Sequence, residues 1–364
     1  MCGGISNTNG SHRIGWLDTL RAVAIILVLV GHKTNSTIIE KVIYSFHVPL
    51  FFWISGFVFD ESRYKSIASL LVKKVRGLVV PYFAFALISF LFWLIVVRSL
   101  SLRGQSLSLN PWMPFVGIFY GVGIDPWRNP MDIALWFLPC LFITDLLFWF
   151  LNSCVSQKFR LLAVISCSMA GYCMSLWLPL RLPWSADVSL MAIVFYYIGN
   201  LTRSYDEQLL PPQPIYRVLI VCILSSIVFV LSSANGKIDM NYNYYGNPIL
   251  FLISACSGIY LFYYLIRQLP TARWLSYIGQ NTIIIVGLAG ISTFIIRGLN
   301  YLIFRSLPSE ARLGVPMSIL FTFLEIGLLV PAIYIINRYF PFIIGRHVSK
   351  RGIGLMKPVS GKGQ

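Results

Sequence analysis

The segment LDTLRAVAIILVLVGH, residues 17–32, carries an arginine and a histidine inside a run of apolar residues. Arg21 and His32 are eleven positions apart, which is about three helical turns, so both side chains lie close to one face of a helix. They are about 16 Å apart along the helix axis. Because a charged side chain facing lipid is costly, we expect this polar stripe to face a protein interior or a water-filled cavity. Asp18 precedes Arg21 by three residues and is a suitable ionic partner on that face.

A second histidine, His47, lies in the next apolar segment, YSFHVPLFFWISGF, residues 44–57. The connection between the two segments is short, so His32 and His47 are predicted to approach each other near one membrane level. Two imidazoles at the same depth favour proton transfer, because histidine gains and loses a proton near neutral pH. No metal site is predicted, because no third Cys, His, Asp or Glu has a ligand spacing.

The residues alone leave alternatives open. Arg21 could extend its guanidinium to the headgroups of one leaflet, with His32 marking the opposite interface. Ser55 could donate a hydrogen bond to an oxyanion or only pack beside Gly56. Asp145 and Glu325 are acidic residues deep in apolar segments, and either could carry a function or neutralise Arg21.

The elements that position these side chains follow from composition. The chain has 364 residues, of which 57% are hydrophobic and 12% charged, whereas soluble domains have about 25% charged residues. Apolar stretches of membrane-spanning length recur along the chain, which predicts an all-α, polytopic membrane helix bundle. About ten spans are expected, with centres near Val28, Phe51, Phe90, Leu141, Ala170, Phe195, Ile227, Ser257, Val286 and Leu328.

The net charge of +16 is distributed in short basic clusters between the spans, as expected for residues that fix topology rather than bind nucleic acid. Most of the 29 Lys and Arg residues fall on one side when both termini are placed in the cytoplasm. The seven cysteines form no CxxC pair, so neither a disulfide framework nor a zinc site is indicated. We predict one transmembrane domain over residues 1–345 and a basic cytoplasmic tail over residues 346–364.

Three opening segments, WLDTLRAVAIILVLVGH, IYSFHVPLFFWISGFVF and KKVRGLVVPYF, closely resemble the start of the acyltransferase family 3 membrane proteins. The most similar branch includes fucose 4-O-acetylase and related acetyltransferases. Its hallmarks are an arginine and a histidine separated by ten residues, an F-H-x-P-L-F-F-x-x-S-G-F segment, and a basic segment ending in P-Y. Further similarity occurs in LWFLPCLF, FYYIGNLTR and WLSYIGQNTIIIV. This chain departs from the branch at VGLAG, where many members carry a histidine, so no role for that histidine can be assigned.

The resemblance implies transfer of an acetyl group from cytoplasmic acetyl-CoA, a substrate rather than a bound cofactor, to a hydroxyl of a surface glycan or its lipid-linked precursor. It implies a bacterial cytoplasmic (inner) membrane protein surrounded by lipid. His32 is the candidate general base or acyl-accepting nucleophile, assisted by His47. Arg21 could bind phosphates of the donor or hold the geometry of the site. The remaining candidates are the cations Lys73, Lys74 and Arg76, which could bind the donor or only set the topology, and the substrate-binding residues Asp18, Ser55 and Trp136.

A proton-coupled transporter or exporter of a glycan or small solute is the alternative, since proton relays also use intramembrane His and Asp. Many transporters contain two related halves with broken helices in matching positions. The sequence has no such symmetry, and its polar residues concentrate in the first two spans. These features favour an enzyme.

Overall fold

The computed structural model describes residues 15–100, 110–131, 134–178, 180–206, 208–209, 213–304 and 313–346. Their regular structure is helical, with two isolated β-bridges, which confirms the predicted all-α bundle. The helices are α1 (Gly15–Gly31), α2 (Thr37–Val58), α3 (Ile67–Val97, with π-helical turns at Val75–Val79 and Trp93–Val97), α4 (Trp112–Tyr120), α5 (Phe137–Cys154), α6 (Gln157–Trp177), α7 (Ala186–Ser204), α8 (Pro214–Asn235), α9 (Pro248–Gln268), α10 (Arg273–Gln280), α11 (Thr282–Phe304) and α12 (Val315–Tyr339).

Each of the ten predicted span centres lies in a different helix of this set, and the short helices α4 and α10 are the two that contain none. Eight of the described helices are long and apolar enough to cross a membrane. The helices α1 and α7 are outside these eight, and both are largely buried by their neighbours. The chain is therefore a multi-pass membrane protein. Cytoplasmic termini and the boundary between domain and tail stay predictions, and residues 347–364 are outside the described ranges.

Two glycines allow α2 and α7 to cross at backbone contact. A Cβ on Gly56 would lie 1.9 Å from the carbonyl oxygen of Tyr196, and a Cβ on Gly199 would lie 2.0 Å from that of Trp53. The side chain of Asn200 adds a hydrogen bond to the carbonyl oxygen of Gly56 at 3.3 Å. Two of the sequence segments that carry the family resemblance, ISGF and YIGN, are therefore mutual packing surfaces.

A third close approach joins α1 to α10. A Cβ on Gly279 would lie 1.7 Å from the carbonyl oxygen of Asp18. Since only glycine fits there, the WLSYIGQN segment is held directly against the WLDTLR segment. This contact fixes the part of α1 that carries Asp18 and Arg21.

Candidate functional site

A cavity of about 610 Å³ extends along α1 from Asp18 to His32. The predicted face is confirmed, because Arg21 and His32 both line this cavity. Six predicted site residues contribute to its wall: Asp18, Arg21, His32, His47, Ser55 and Trp136. The sequence therefore predicted most of the polar side chains that share the cavity on helices α1 and α2.

At the Arg21 end, the guanidinium is held by the predicted partner. Arg21 donates to the Asp18 carboxylate at 3.0 Å, and its side chain is 31% exposed while that of Asp18 is 4% exposed. The second Asp18 oxygen accepts a hydrogen bond from the side-chain amide of Gln280 at 3.0 Å. Arg346 donates to the Gln280 carbonyl at 3.0 Å. Arg21 is therefore positioned by a buried carboxylate that is itself bonded to α10.

At the His32 end, Tyr44 lies between the two histidines. Its hydroxyl is 3.1 Å from Nδ1 of His32, and its ring packs edge-on against both imidazoles. His32 is exposed, whereas Tyr44 and His47 are buried. His47 Nδ1 lies 2.8 Å from the carbonyl oxygen of Ile43, and because a carbonyl only accepts, Nδ1 carries the proton there. A neutral His47 ring then has its lone pair on Nε2.

The segment between α8 and α9, residues 236–247, covers the His32 end. Lys237 forms an ion pair with Glu40 at 2.8 Å, and its ammonium lies 4.8 Å from the centre of the Tyr44 ring. Burial raises the pKa of Asp239 above its ordinary value, and the nearby Lys237 ammonium opposes this shift only in part. Sequence reasoning missed this segment, although KIDMNYNYYGN stands out as a polar, Asn- and Tyr-rich stretch between apolar runs.

The structure shows what surrounds Ser55 and Trp136, two of the residues predicted to contact substrate. The Ser55 hydroxyl donates to the carbonyl oxygen of Phe51 at 2.9 Å, so its proton is used in a hydrogen bond within α2. Trp136 is buried beside Phe137 and lines the cavity with it. Both are compatible with substrate contact, which stays a prediction.

The three predicted donor-binding cations are not among the residues that line the cavity. Lys74 forms an ion pair with the buried Asp145 at 2.6 Å, and Tyr196 donates to the same carboxylate oxygen at 2.5 Å. Lys73 lies over the ring of Tyr64 at 5.0 Å. Arg76 is exposed in the first π-helical turn of α3. Lys74 thus has a structural partner, and the donor-binding role of all three stays a prediction.

The other intramembrane carboxylate, Glu325, contacts Lys33, just after the end of α1, rather than Arg21. It forms an ion pair with Lys33 and accepts hydrogen bonds from Ser292 at 2.7 Å and Thr293 at 3.0 Å. Glu325 is fully buried, and the side chain of Lys33 is 10% exposed. The predicted alternative in which Asp145 or Glu325 neutralises Arg21 is therefore wrong: these carboxylates pair with Lys74 and Lys33. Lys33 directly follows His32, so this ion pair fixes the end of α1 that carries the histidine.

Within the described ranges, no group of three His, Cys, Asp or Glu side chains could hold a metal ion. The fold and the site together define a multi-pass membrane helix bundle with a cavity that carries an arginine at one end and histidines at the other. A family model described as an acyltransferase domain matches residues 14–338. The match covers most of the chain, which belongs to acyltransferase family 3 and is a membrane acyltransferase. No match to the chain is found among curated proteins or among solved structures.

Proposed function

We propose that this membrane acyltransferase is an O-acetyltransferase that moves an acetyl group from acetyl-CoA to a hydroxyl of a surface glycan or its lipid-linked precursor. One observation carries the proposal. Arg21 and His32 line the same cavity at opposite ends of α1, so a cation suited to binding phosphate and an imidazole suited to accepting a proton share one cavity. We place the protein in the cytoplasmic membrane of a bacterium, with the Arg21 end facing the cytoplasm.

His32 acts as the general base in this proposal. A hydroxyl of the acceptor gives its proton to Nε2 of His32 as its oxygen attacks the thioester carbonyl of acetyl-CoA. The carbon–sulfur bond then breaks, and the departing thiolate of CoA takes the proton from the imidazolium. The products are an acetyl ester and free CoA, and His32 returns to its neutral state.

Tyr44 and His47 assist His32. The hydroxyl of Tyr44 lies 3.1 Å from Nδ1 of His32. In this proposal Nδ1 carries the proton and donates it to that hydroxyl, which leaves Nε2 as the basic nitrogen. His47 contributes a second imidazole whose Nδ1 is fixed on Ile43, with Nε2 as its proton acceptor. Positioning a base in this way removes the need to orient it during the reaction.

The Arg21 end takes the donor. Arg21 presents a guanidinium suited to bidentate contact with phosphate. Lys73 and Arg76, in the first third of α3, extend this positive charge toward the nucleotide end of the donor. Lys74 lies on the same part of α3, where its charge is balanced by the ion pair with Asp145. Asp18, Ser55 and Trp136 contact the substrates along the cavity wall.

The test is a transfer assay with purified protein, radiolabelled acetyl-CoA and an envelope glycan, comparing the wild type with His32→Ala. We expect labelled glycan from the wild type and none above background from the variant. Undiminished labelling by His32→Ala would overturn the assignment of His32. The absence of label with the wild type, together with retention of an export substrate inside cells that lack the protein, would favour the transporter.

A further inference from the structure

The segment 236–247 forms one wall of the cavity at the His32 end, and nothing in the catalytic proposal uses it. We infer that this segment and Trp136 form a binding subsite for an uncharged sugar residue. Its assignment to the acceptor rests on the proposed function, whereas sugar binding itself does not. The cavity-lining members of the segment are Lys237, Asp239, Met240, Asn241 and Tyr242.

The segment is braced by hydrogen bonds within it and to the end of α8. The backbones of Asp239 and Tyr244 exchange hydrogen bonds at 2.9 and 3.0 Å, and the Asp239 side chain accepts from the backbone N–H of Asn241 at 3.1 Å. Asn235 donates to the carbonyl oxygen of Tyr245 at 3.0 Å. A preformed site orders fewer groups when a ligand binds, so more of the contact energy remains as affinity.

Two contacts attach the segment to the rest of the bundle. The side-chain amide of Asn241 donates to the carbonyl oxygen of Gly123 at 2.9 Å. Arg181, which is ion-paired with Asp187 at 2.5 Å, donates to the backbone carbonyl of Asn241. These contacts place the side chains of the segment at fixed positions over the cavity.

The side chains offer the mixed chemistry that a sugar requires. Sugar hydroxyls both donate and accept hydrogen bonds, and the apolar C–H faces of the ring pack on aromatic surfaces. Lys237 supplies a donor and Asp239 an acceptor, while Tyr242 and Trp136 supply aromatic surface. Asn241 also lines the cavity beside these groups.

The charges around the subsite compensate one another. Lys237 is paired with Glu40 at 2.8 Å, and Arg128 lies 3.6 Å from Asp125. Asp239 adds a further carboxyl group beside the cavity. A phosphorylated or carboxylated sugar would meet no surplus of positive charge, so the site favours an uncharged ring.

The subsite also adjoins the proposed base. The Lys237 ammonium lies 4.8 Å from the centre of the Tyr44 ring, and the hydroxyl of Tyr44 is 3.1 Å from His32. A sugar bound against the segment therefore presents its hydroxyls on the side of the cavity where His32 lies.

The experiment is saturation-transfer NMR on the purified full chain without acetyl-CoA. The probes are methyl glycosides of neutral hexoses, with a methyl hexuronoside and a hexose phosphate for comparison. Tyr242→Ala removes cavity-lining aromatic surface, and Tyr244→Ala is the matched control in the same segment outside the cavity lining. Both side chains are exposed, at 53% and 58%, so neither variant removes core packing. Equal unfolding temperatures for the two variants verify this point.

We expect saturation transfer to a neutral hexoside with the wild type and with Tyr244→Ala. With Tyr242→Ala, the dissociation constant rises by about tenfold. Equal binding by the two variants, binding of only the charged sugars, or no binding to the wild type would each overturn the subsite. Because these outcomes do not require acetyl transfer, they are distinguishable from failure of the proposed function, which the transfer assay reports.

Discussion

Replacing Gly279 with alanine tests whether the contact between α1 and α10 fixes the Arg21 end of the cavity. The added Cβ would lie 1.7 Å from the carbonyl oxygen of Asp18, and a tolerable contact requires at least 3.0 Å. Both contacting atoms belong to helix backbone or are fixed to it, so no side-chain rotation relieves the clash. The two helices must therefore move apart by more than an ångström.

This movement has two expected costs. Overpacking of this kind destabilises a protein by about 1–3 kcal/mol. The displacement also disturbs the 3.0 Å hydrogen bonds that join Asp18 to Arg21 and to Gln280. A misplacement of about 1 Å at a reactive site lowers the rate by about 100-fold. We therefore expect Gly279→Ala to lower acetyl transfer by about two orders of magnitude.

The control is Gly298→Ala, because a Cβ on Gly298 meets nothing within 4 Å. The control makes the same chemical change in another helix, and its effect on stability is expected to be neutral or favourable by up to about 1 kcal/mol. Thermal unfolding in detergent and the initial rate of acetyl transfer are measured for both variants. The reasoning is refuted if Gly279→Ala keeps a rate within about twofold of Gly298→Ala.

Three further predictions concern the His32 end of the molecule. Glu325→Gln leaves the Lys33 ammonium buried without its partner and lowers the free energy of unfolding by about 3–5 kcal/mol. In denaturation experiments in detergent, adding Lys33→Met restores most of that loss, and a midpoint for Glu325→Gln equal to that of the wild type would contradict the ion pair. Tyr44→Phe removes one hydrogen bond to His32 while keeping the ring, so kcat falls by up to about tenfold at unchanged unfolding temperature. An unchanged kcat would count against the role of Tyr44 in orienting His32. Burial raises the pKa of Asp239 above its ordinary 3.8, so the folded protein binds this proton more tightly than the unfolded chain. The wild type therefore loses stability relative to Asp239→Asn as the pH rises from about 4 to about 7. A difference in unfolding temperature between these two proteins that stays constant across that range would contradict the shift.

The sequence predicted the bundle well because membrane spans are encoded locally. Apolar length identifies each helix, and the helical period alone places Arg21 and His32 on one face. The pairing of Asp18 with Arg21 was also predictable, because the two residues are one helical turn apart in the chain.

The partners from distant parts of the chain were not predictable in this way. Glu325 and Lys33 are separated by most of the sequence, and Asp145 meets Lys74 through the packing of α3 on α5. The segment 236–247 belongs to a loop, where no periodicity indicates what the side chains face. Tyr44 was not predicted either, because the motif in its segment points to His47 and not to the tyrosine.

The central claim is that donor and acceptor occupy opposite ends of one cavity along α1. It is tested most directly with sealed membrane vesicles of both orientations, with a neutral saccharide trapped in the lumen and labelled acetyl-CoA supplied outside. We predict labelled saccharide in inverted vesicles, whose cytoplasmic face is outward, and none in right-side-out vesicles or in inverted vesicles that carry His32→Ala. Equal labelling in the two orientations, or full labelling with His32→Ala, would contradict it.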